Sequence, residues 1–240
     1  MDWLIVIPVR LKSTRLYEKA LIDLHGKTLI QRTFDCAMDA VKDKERILIA
    51  TDSEKIAEHV QSFKANVHLT SDKCLTGTDR VYEISRKYKA NQYINLQGDE
   101  PIFPSEIINQ FIHESQKDIS IVHTAVKKII DEEDFFNKSI PKMVFSKSKK
   151  LLFSSRAPIP FNKKGKLVEA YKHVCIYAYN FEHLEKFNST NKSFFENIED
   201  LEINRFLEND IKVNCIKVIK SGIAVDTNAD LIKVRELLKK

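Results

Sequence analysis

Four cations, Arg10, Lys12, Arg15 and Lys19, fall within ten residues directly behind the apolar run WLIVIPV (3–9). In an open parallel sheet, ligands bind beyond the carboxyl ends of strands. A loop there with four cations suits a polyphosphate, although an ordinary basic surface loop has the same composition. The loop is neither a P-loop nor a dinucleotide fingerprint, because it matches neither G-x-x-x-x-G-K-[ST] nor G-x-G-x-x-G. A second apolar run, YINLQ (93–97), drops into Gly98-Asp99-Glu100-Pro101. Gly98 allows a tight backbone and Pro101 stiffens the exit. A carboxylate placed there would face phosphates held by the first loop, and two anions share such a space only with a cation between them. Mg²⁺, bound by one or two carboxylates plus phosphate oxygens, is the usual solution. Asp99 therefore reads as a metal ligand or as a turn-forming Asp. Asp226, ending GIAVD (222–226), reads as a second ligand or as an acid favoured by the dipole of the helix that follows.

Other residues suit an acceptor. Arg156 in SSRAPIP (154–160) stands ahead of two prolines in extended chain, where its fork fits a carboxylate or simply faces solvent. In HVCIYAY (173–179) the alternation puts His173, Cys175, Tyr177 and Tyr179 on one face and Val174, Ile176 and Ala178 on the other. A polar and aromatic face of this kind lines a sugar pocket, or is a half-buried strand whose hydroxyls find partners.

Strands and helices must bring these positions together. Strand-like runs at 3–9, 46–51, 67–70 and 93–97 alternate with helical patterns at 28–40, 53–60, 78–88 and 104–115, with Ser53 and Ser105 as candidate caps. This order predicts an α/β fold with a mostly parallel sheet and helices on both faces. The stretch 119–180 is β-rich: a strand near 119–129, a hairpin over 142–156 turning near 146–149, and a strand at 173–180. Helical patterns return at 196–208 and 228–239. The expected organisation is one domain, 1–240, with a β-rich insertion at about 119–180 serving as an acceptor or dimer lobe.

Composition narrows the function class. The net charge is +5, with lysine outnumbering arginine and the basic residues scattered. Nucleic-acid binders concentrate charge in a patch and favour Arg, so nucleic acid is not an expected partner. No apolar stretch approaches a membrane span, and the N-terminus lacks the basic region of a signal peptide. The four cysteines, Cys36, Cys74, Cys175 and Cys215, show no metal-ligand spacing and read as reduced thiols of a cytoplasmic protein.

Taken in order, PVRLKSTRLYEKAL, LTGTDR, NLQGDEP, SSRAPIP, KHVCIYAY, LEINRFLE and GIAVDT resemble the signature segments of the 3-deoxy-manno-octulosonate cytidylyltransferase (CMP-KDO synthetase) family across nearly the whole chain. The resemblance implies a nucleotide-diphospho-sugar transferase-like fold, Mg²⁺ as cofactor and a homodimer. It implies transfer of CMP from CTP to a 3-deoxy-ulosonic acid with release of pyrophosphate, for lipopolysaccharide or capsule synthesis. By the same resemblance Arg10, Arg15 and Lys19 would hold the triphosphate, and Thr78 and Arg80 would lie near the nucleotide. Gln97 and Asp99 would stand between nucleotide and sugar, and Asp99 and Asp226 would bind the metal. Arg156, His173, Tyr177 and Glu202 would contact the acid. Arg10, Lys19 and Asp99 would be the catalytic groups.

The chain departs from the family pattern in three places. Tyr17-Glu18 replaces Pro-Gly ahead of Lys19, Ile203 replaces a polar residue, and Cys175 replaces Gly. Two of the three fall in the acceptor region, so a modified acceptor, such as 8-amino-KDO or another ulosonic acid, is an alternative. A non-catalytic nucleotide-sugar sensor is another, although such a protein should have lost Asp99 or Asp226.

Overall fold

The computed structural model describes residues 1–13 and 15–239. Strands β1 (Trp3–Val9), β2 (Ile47–Thr51), β3 (Val67–Leu69) and β4 (Gln92–Leu96) pair in parallel in the order β3-β2-β1-β4. β2 and β4 are buried along their whole length and β1 at all but its ends. Continuous apolar runs are what a strand covered on both faces requires.

The sheet continues past β4. β8 (Tyr171–Tyr179) runs antiparallel to β4 and to β5 (Val122–Lys128), and β9 (Val213–Val218) closes that side parallel to β5. The stretch 119–180 is therefore split. β5 and β8 complete the main sheet, and only the hairpin β6 (Lys142–Phe145) and β7 (Leu151–Ser155) lies off its path. The physical reason is two-sided burial of β8: Val174, Ile176 and Ala178 enter one core, Tyr177 and Tyr179 the other.

Helices cover both faces. On one, α1 (Leu29–Val41), α2 (Glu54–Ser62) and α4 (Ser105–Ser115) pack Phe34, Ile56, Val60 and Phe111 against Ile5, Ile7 and Ile94. On the other, α3 (Gly77–Lys87), α6 (Phe181–Asn188) and α8 (Ile203–Glu208) pack Val81, Ile84, Leu184, Phe187 and Phe206 against Leu4, Val6 and Tyr93. The last helix, α9 (Asn228–Leu238), seats Leu231 and Val234 on Leu16, Leu24 and Leu29, which ties the end of the chain to the basic loop. The short helices α5 (Glu132–Phe136) and α7 (Phe194–Glu199) complete the set.

Two local expectations are corrected. Ser53 caps α2 by accepting from the Ile56 N–H, but Ser105 is the first helical residue of α4 and Pro104 holds the N-cap place. Its extended backbone (φ −63°, ψ 123°) suits that place, because proline fixes φ and carries no N–H to leave unpaired. The expected helix at 196–208 is two helices, α7 and α8. Asp200 between them adopts the left-handed conformation (φ 51°), and the bend turns Asp200, Leu201 and Glu202 onto the wall of a cleft.

Candidate active site

A cleft of about 300 Å³ opens at the carboxyl ends of β1 and β4. β1 delivers the basic loop and β4 delivers Gln97, Gly98 and Asp99. The two strand ends approach so closely that a Cβ on Gly98 would stand 2.7 Å from the Pro8 carbonyl oxygen. Only glycine fits that crossing.

Lys19 opens a single 3-10 turn, Lys19–Leu21. Its ammonium donates to Asp99 Oδ2 at 2.8 Å and to Asp226 Oδ1 at 3.1 Å. Arg15 donates to the same Asp226 oxygen at 2.9 Å. Two carboxylates far apart in sequence thus converge on one cation. Burial works to lower the Lys19 pKa, but the two carboxylates outweigh it and raise it. Glu18 does not add charge to this group, because its left-handed backbone (φ 45°) turns it to Lys55 at 2.6 Å. Arg10 is exposed and lines the cleft.

The opposite side of the cleft begins at the N-terminus of α3. Thr76 and Asp79 close a capping box there, leaving Gly77 on the cleft wall. Arg80 also borders the cleft but is 3% exposed, bound to Thr70, the Ser71 carbonyl and Asp52. Asp52 in turn accepts from the Leu11 N–H at 3.2 Å, so one carboxylate joins the basic loop to α3. Thr78 points inward, with its hydroxyl 3.0 Å from the Tyr179 hydroxyl. The Thr78 N–H donates to Glu202 at 3.2 Å. Burial pushes the Glu202 carboxyl up to about 6, against the hydrogen bonds from Thr78 and Thr76.

Eight of the residues singled out in the sequence line this one cleft: Arg10, Arg15, Lys19, Arg80, Gln97, Asp99, Glu202 and Asp226. Thr78, Arg156, His173 and Tyr177 do not. The Arg156 guanidinium donates to the Glu199, Lys138 and Asp200 carbonyls at 2.7, 3.2 and 3.3 Å, so it holds the α7–α8 bend. His173 bonds Thr124 at 2.9 Å, and burial pulls its pKa down to about 4. Tyr177 is buried edge-on to His173.

Residues 4–213 match the family model described as "Cytidylyltransferase". The chain belongs to the cytidylyltransferase family. It is 36% identical to the 3-deoxy-manno-octulosonate cytidylyltransferase of Chloroherpeton thalassium, over 100% of this chain and 99% of that protein. It is 41% identical to the protein of the same name from Francisella tularensis subsp. novicida, over 97% of each. Its structure superposes on CMP:2-keto-3-deoxy-manno-octonic acid synthetase complexed with CTP with a TM-score of 0.91, at 32% identity, covering 100% and 99% of the two chains. The 4-diphosphocytidyl-2C-methyl-D-erythritol synthase of Anaerococcus prevotii shares the fold alone, with a TM-score of 0.64 at 14% identity over 99% and 96%.

This cytidylyltransferase is thus a nucleotidyltransferase enzyme, and its cleft holds residues that the sequence did not single out. Lys192, Glu196, Asp200 and Leu201 share the wall with Glu202. The signal of the last three was weak, because the acid-rich run ENIEDLE (196–202) reads as a solvated helix face, and Lys192 is one of many scattered lysines. Asp99 and Asp226 are the residues that would hold a cation here. Both present hard oxygens to one cation-sized position, which fits Mg²⁺ completed by substrate oxygens and water. Among the described residues no group of three or more His, Cys, Asp or Glu is placed to hold a metal ion, so a cation here needs substrate oxygens. Glu100 is turned away: its carboxyl is buried against Gly222, where a Cβ would overlap it. Burial, with Asp99 and Asp226 nearby, raises its pKa well above the carboxylate range.

Proposed function

We propose that this cytidylyltransferase transfers CMP from CTP to 3-deoxy-manno-octulosonate (KDO), releasing pyrophosphate and CMP-KDO for a surface glycan such as lipopolysaccharide or capsule. The observation that carries this reading is full-length similarity to proteins of that name, one of them complexed with CTP. The cleft's chemistry supports it. Arg10, Arg15 and Lys19 supply the positive charge that a triphosphate needs, and Gly77 brings the amino end of α3 to the same space.

The anomeric hydroxyl of the sugar attacks the α-phosphorus, and pyrophosphate leaves in line. Such transfers depend on positioning and charge neutralisation. Arg10 and Lys19 neutralise charge on the α-phosphate and the leaving group, and Arg15 holds the distal phosphates. Gln97 sits between nucleotide and sugar. Asp99 and Asp226 would hold Mg²⁺, which when bound neutralises phosphate charge and lowers the pKa of the incoming hydroxyl. Lys19 and Arg15, which pair with these carboxylates, would turn to the phosphates of bound CTP. Glu202 faces the sugar acid. Arg156 acts through the Glu199–Glu202 bend that it supports, and His173 and Tyr177 form the packed layer behind it.

A modified acceptor remains the second reading, favoured by Cys175. Its half-buried thiol lies outside the cleft lining, on the same strand as His173 and Tyr177, at a place where the family pattern has no side chain, and burial drives its pKa well up. The enzyme is also proposed to be a single domain and a homodimer. One continuous sheet supports the single domain. Exposed Phe194 and Ile198 on α7, with Phe195 packed on Phe153 of the hairpin, support the dimer. No helix among the described residues is long and apolar enough to cross a membrane, and the proposed location is the cytoplasm.

The test is pyrophosphate release from CTP and Mg²⁺ with KDO, 8-amino-KDO or a sialic acid in separate reactions. KDO-dependent release that Asp99→Ala abolishes is the expected result. Release only with another acid would move the acceptor, and CTP binding without release in any reaction would favour the sensor.

A further inference from the structure

The cleft has two walls that are anchored in different ways. The nucleotide wall, at the N-terminus of α3, is tied to the sheet by Thr78 on Tyr179 at 3.0 Å and to the β2 edge by Arg80 on Asp52 at 3.3 Å. The facing wall, which carries Lys192, Asp200 and Glu202, is built from the six-residue helices α7 and α8 and the bend between them. Helices this short do not hold their own shape.

Arg205 joins the two. Its guanidinium forks onto both oxygens of Glu196 on α7, at 2.6 and 2.6 Å. It lies 3.6 Å from Asp79, the acid that completes the cap of α3. It also reaches the Phe187 carbonyl at 3.5 Å and lies 3.8 Å over the Phe187 ring at the end of α6. Arg205 is 3% exposed and Glu196 1%. Beyond this cluster lies a second cavity of about 690 Å³, bordered by Asp79 and Arg205, which shares Cys74, Leu75 and Lys192 with the active-site cleft. The Asp79–Arg205–Glu196 group is therefore part of the partition between the two spaces.

We infer that Arg205 is a positioning residue for the transfer reaction, setting the acceptor wall against the nucleotide wall. A buried ion pair contributes little net stability relative to apolar packing, and fixing a geometry is one role such pairs fill. The planar fork fixes both distance and direction, which a lysine ammonium cannot do. None of the ties that fix the nucleotide wall to the sheet passes through Arg205. Its loss therefore loosens the Lys192–Glu196 part of that wall, while Arg156 and the Thr78 N–H still hold the bend at Glu199–Glu202 and the CTP side stays in place. The inference rests on the proposed function, in which that wall receives the sugar acid.

Three variants test it: Arg205→Lys, Asp79→Asn, and the double Glu196→Gln/Arg205→Met, which leaves no unpaired buried carboxylate at Glu196. Asp79→Asn retains an oxygen for the cap of α3 and removes the charge that faces Arg205. Binding of CTP is read by calorimetry, the KM for KDO by pyrophosphate release, and folding by thermal melts. In folded variants CTP affinity should stay within about threefold, while the KM for KDO rises about tenfold or more in Arg205→Lys and the double, and less in Asp79→Asn. An unchanged KM for KDO in any folded Arg205 variant overturns the inference. So does a parallel loss of CTP and KDO affinity that tracks the melting temperature. Failure of the wild-type enzyme to use KDO would instead count against the proposed function.

Discussion

Lys19 and Asp99 are 80 positions apart in the chain and 2.8 Å apart in the cleft. With Asp226 on the other side of the same ammonium, Asp99 and Asp226 are paired within the protein. Lys19→Met should lower kcat by about 10²-fold or more, the scale seen when one charge-stabilising donor is lost. It should also strengthen Mn²⁺ binding to the nucleotide-free protein, because the competing ammonium is gone. Steady-state kinetics and Mn²⁺ titration check the two effects separately.

Glu202 and His173 make opposite contributions to stability across mild acid. The folded-state pKa of Glu202 is raised to about 6 from an ordinary 4.5, so the folded protein binds the extra proton. That contribution is present below pH 4.5 and is lost as pH rises through 6. His173 is pulled down to about 4 from 6.5, so the unfolded chain binds the extra proton. Its contribution is present above pH 6.5 and is lost as pH falls toward 4. Glu202→Gln should remove only the first effect, by an amount on the order of 2 kcal/mol. Stability should then climb more steeply between pH 4.5 and 6 in denaturant titrations.

Gly98→Ala should destabilise the protein by about 1–3 kcal/mol, the usual range for overpacking. Its Cβ would meet the Pro8 carbonyl at 2.7 Å and Val9 Cβ at 3.2 Å, both at the end of β1. Relief by shifting the β4 exit would move Asp99, so CTP-dependent activity should fall by more than the melting temperature explains.

Phe194 is 67% exposed on α7 beside Phe195, which packs on Phe153. If this face joins two copies, Phe194→Asp should convert a dimer to a monomer in sedimentation or light scattering. A mass unchanged by the substitution would locate the interface elsewhere.

The reach of sequence reasoning shows in particular residues. The runs at 3–9, 46–51 and 93–97 became the buried strands β1, β2 and β4 because two-sided burial leaves an unbroken apolar signature. The basic loop and Asp99 were visible because both follow such runs. The placement of β5 and β8 within the main sheet was not visible, since a strand's neighbours are chosen by long-range pairing. Glu196 and Asp200 were missed because a charged residue on a short helix looks the same in sequence whether it faces water, a cleft or an arginine.

By itself the chain determined the order of its first four strands and helices, its family and the residue types available for chemistry, since these follow from local periodicity and ordered motifs, whereas β9, α5 and α6 left no pattern that was read. Tertiary structure alone decided which of those residues meet. It brought Asp226 to Lys19 and Asp99, turned Thr78 toward Tyr179 and engaged Arg156 with the α7–α8 bend. Contacts of this kind depend on how distant elements pack, and no local pattern encodes the distance between two residues that the fold has yet to bring together.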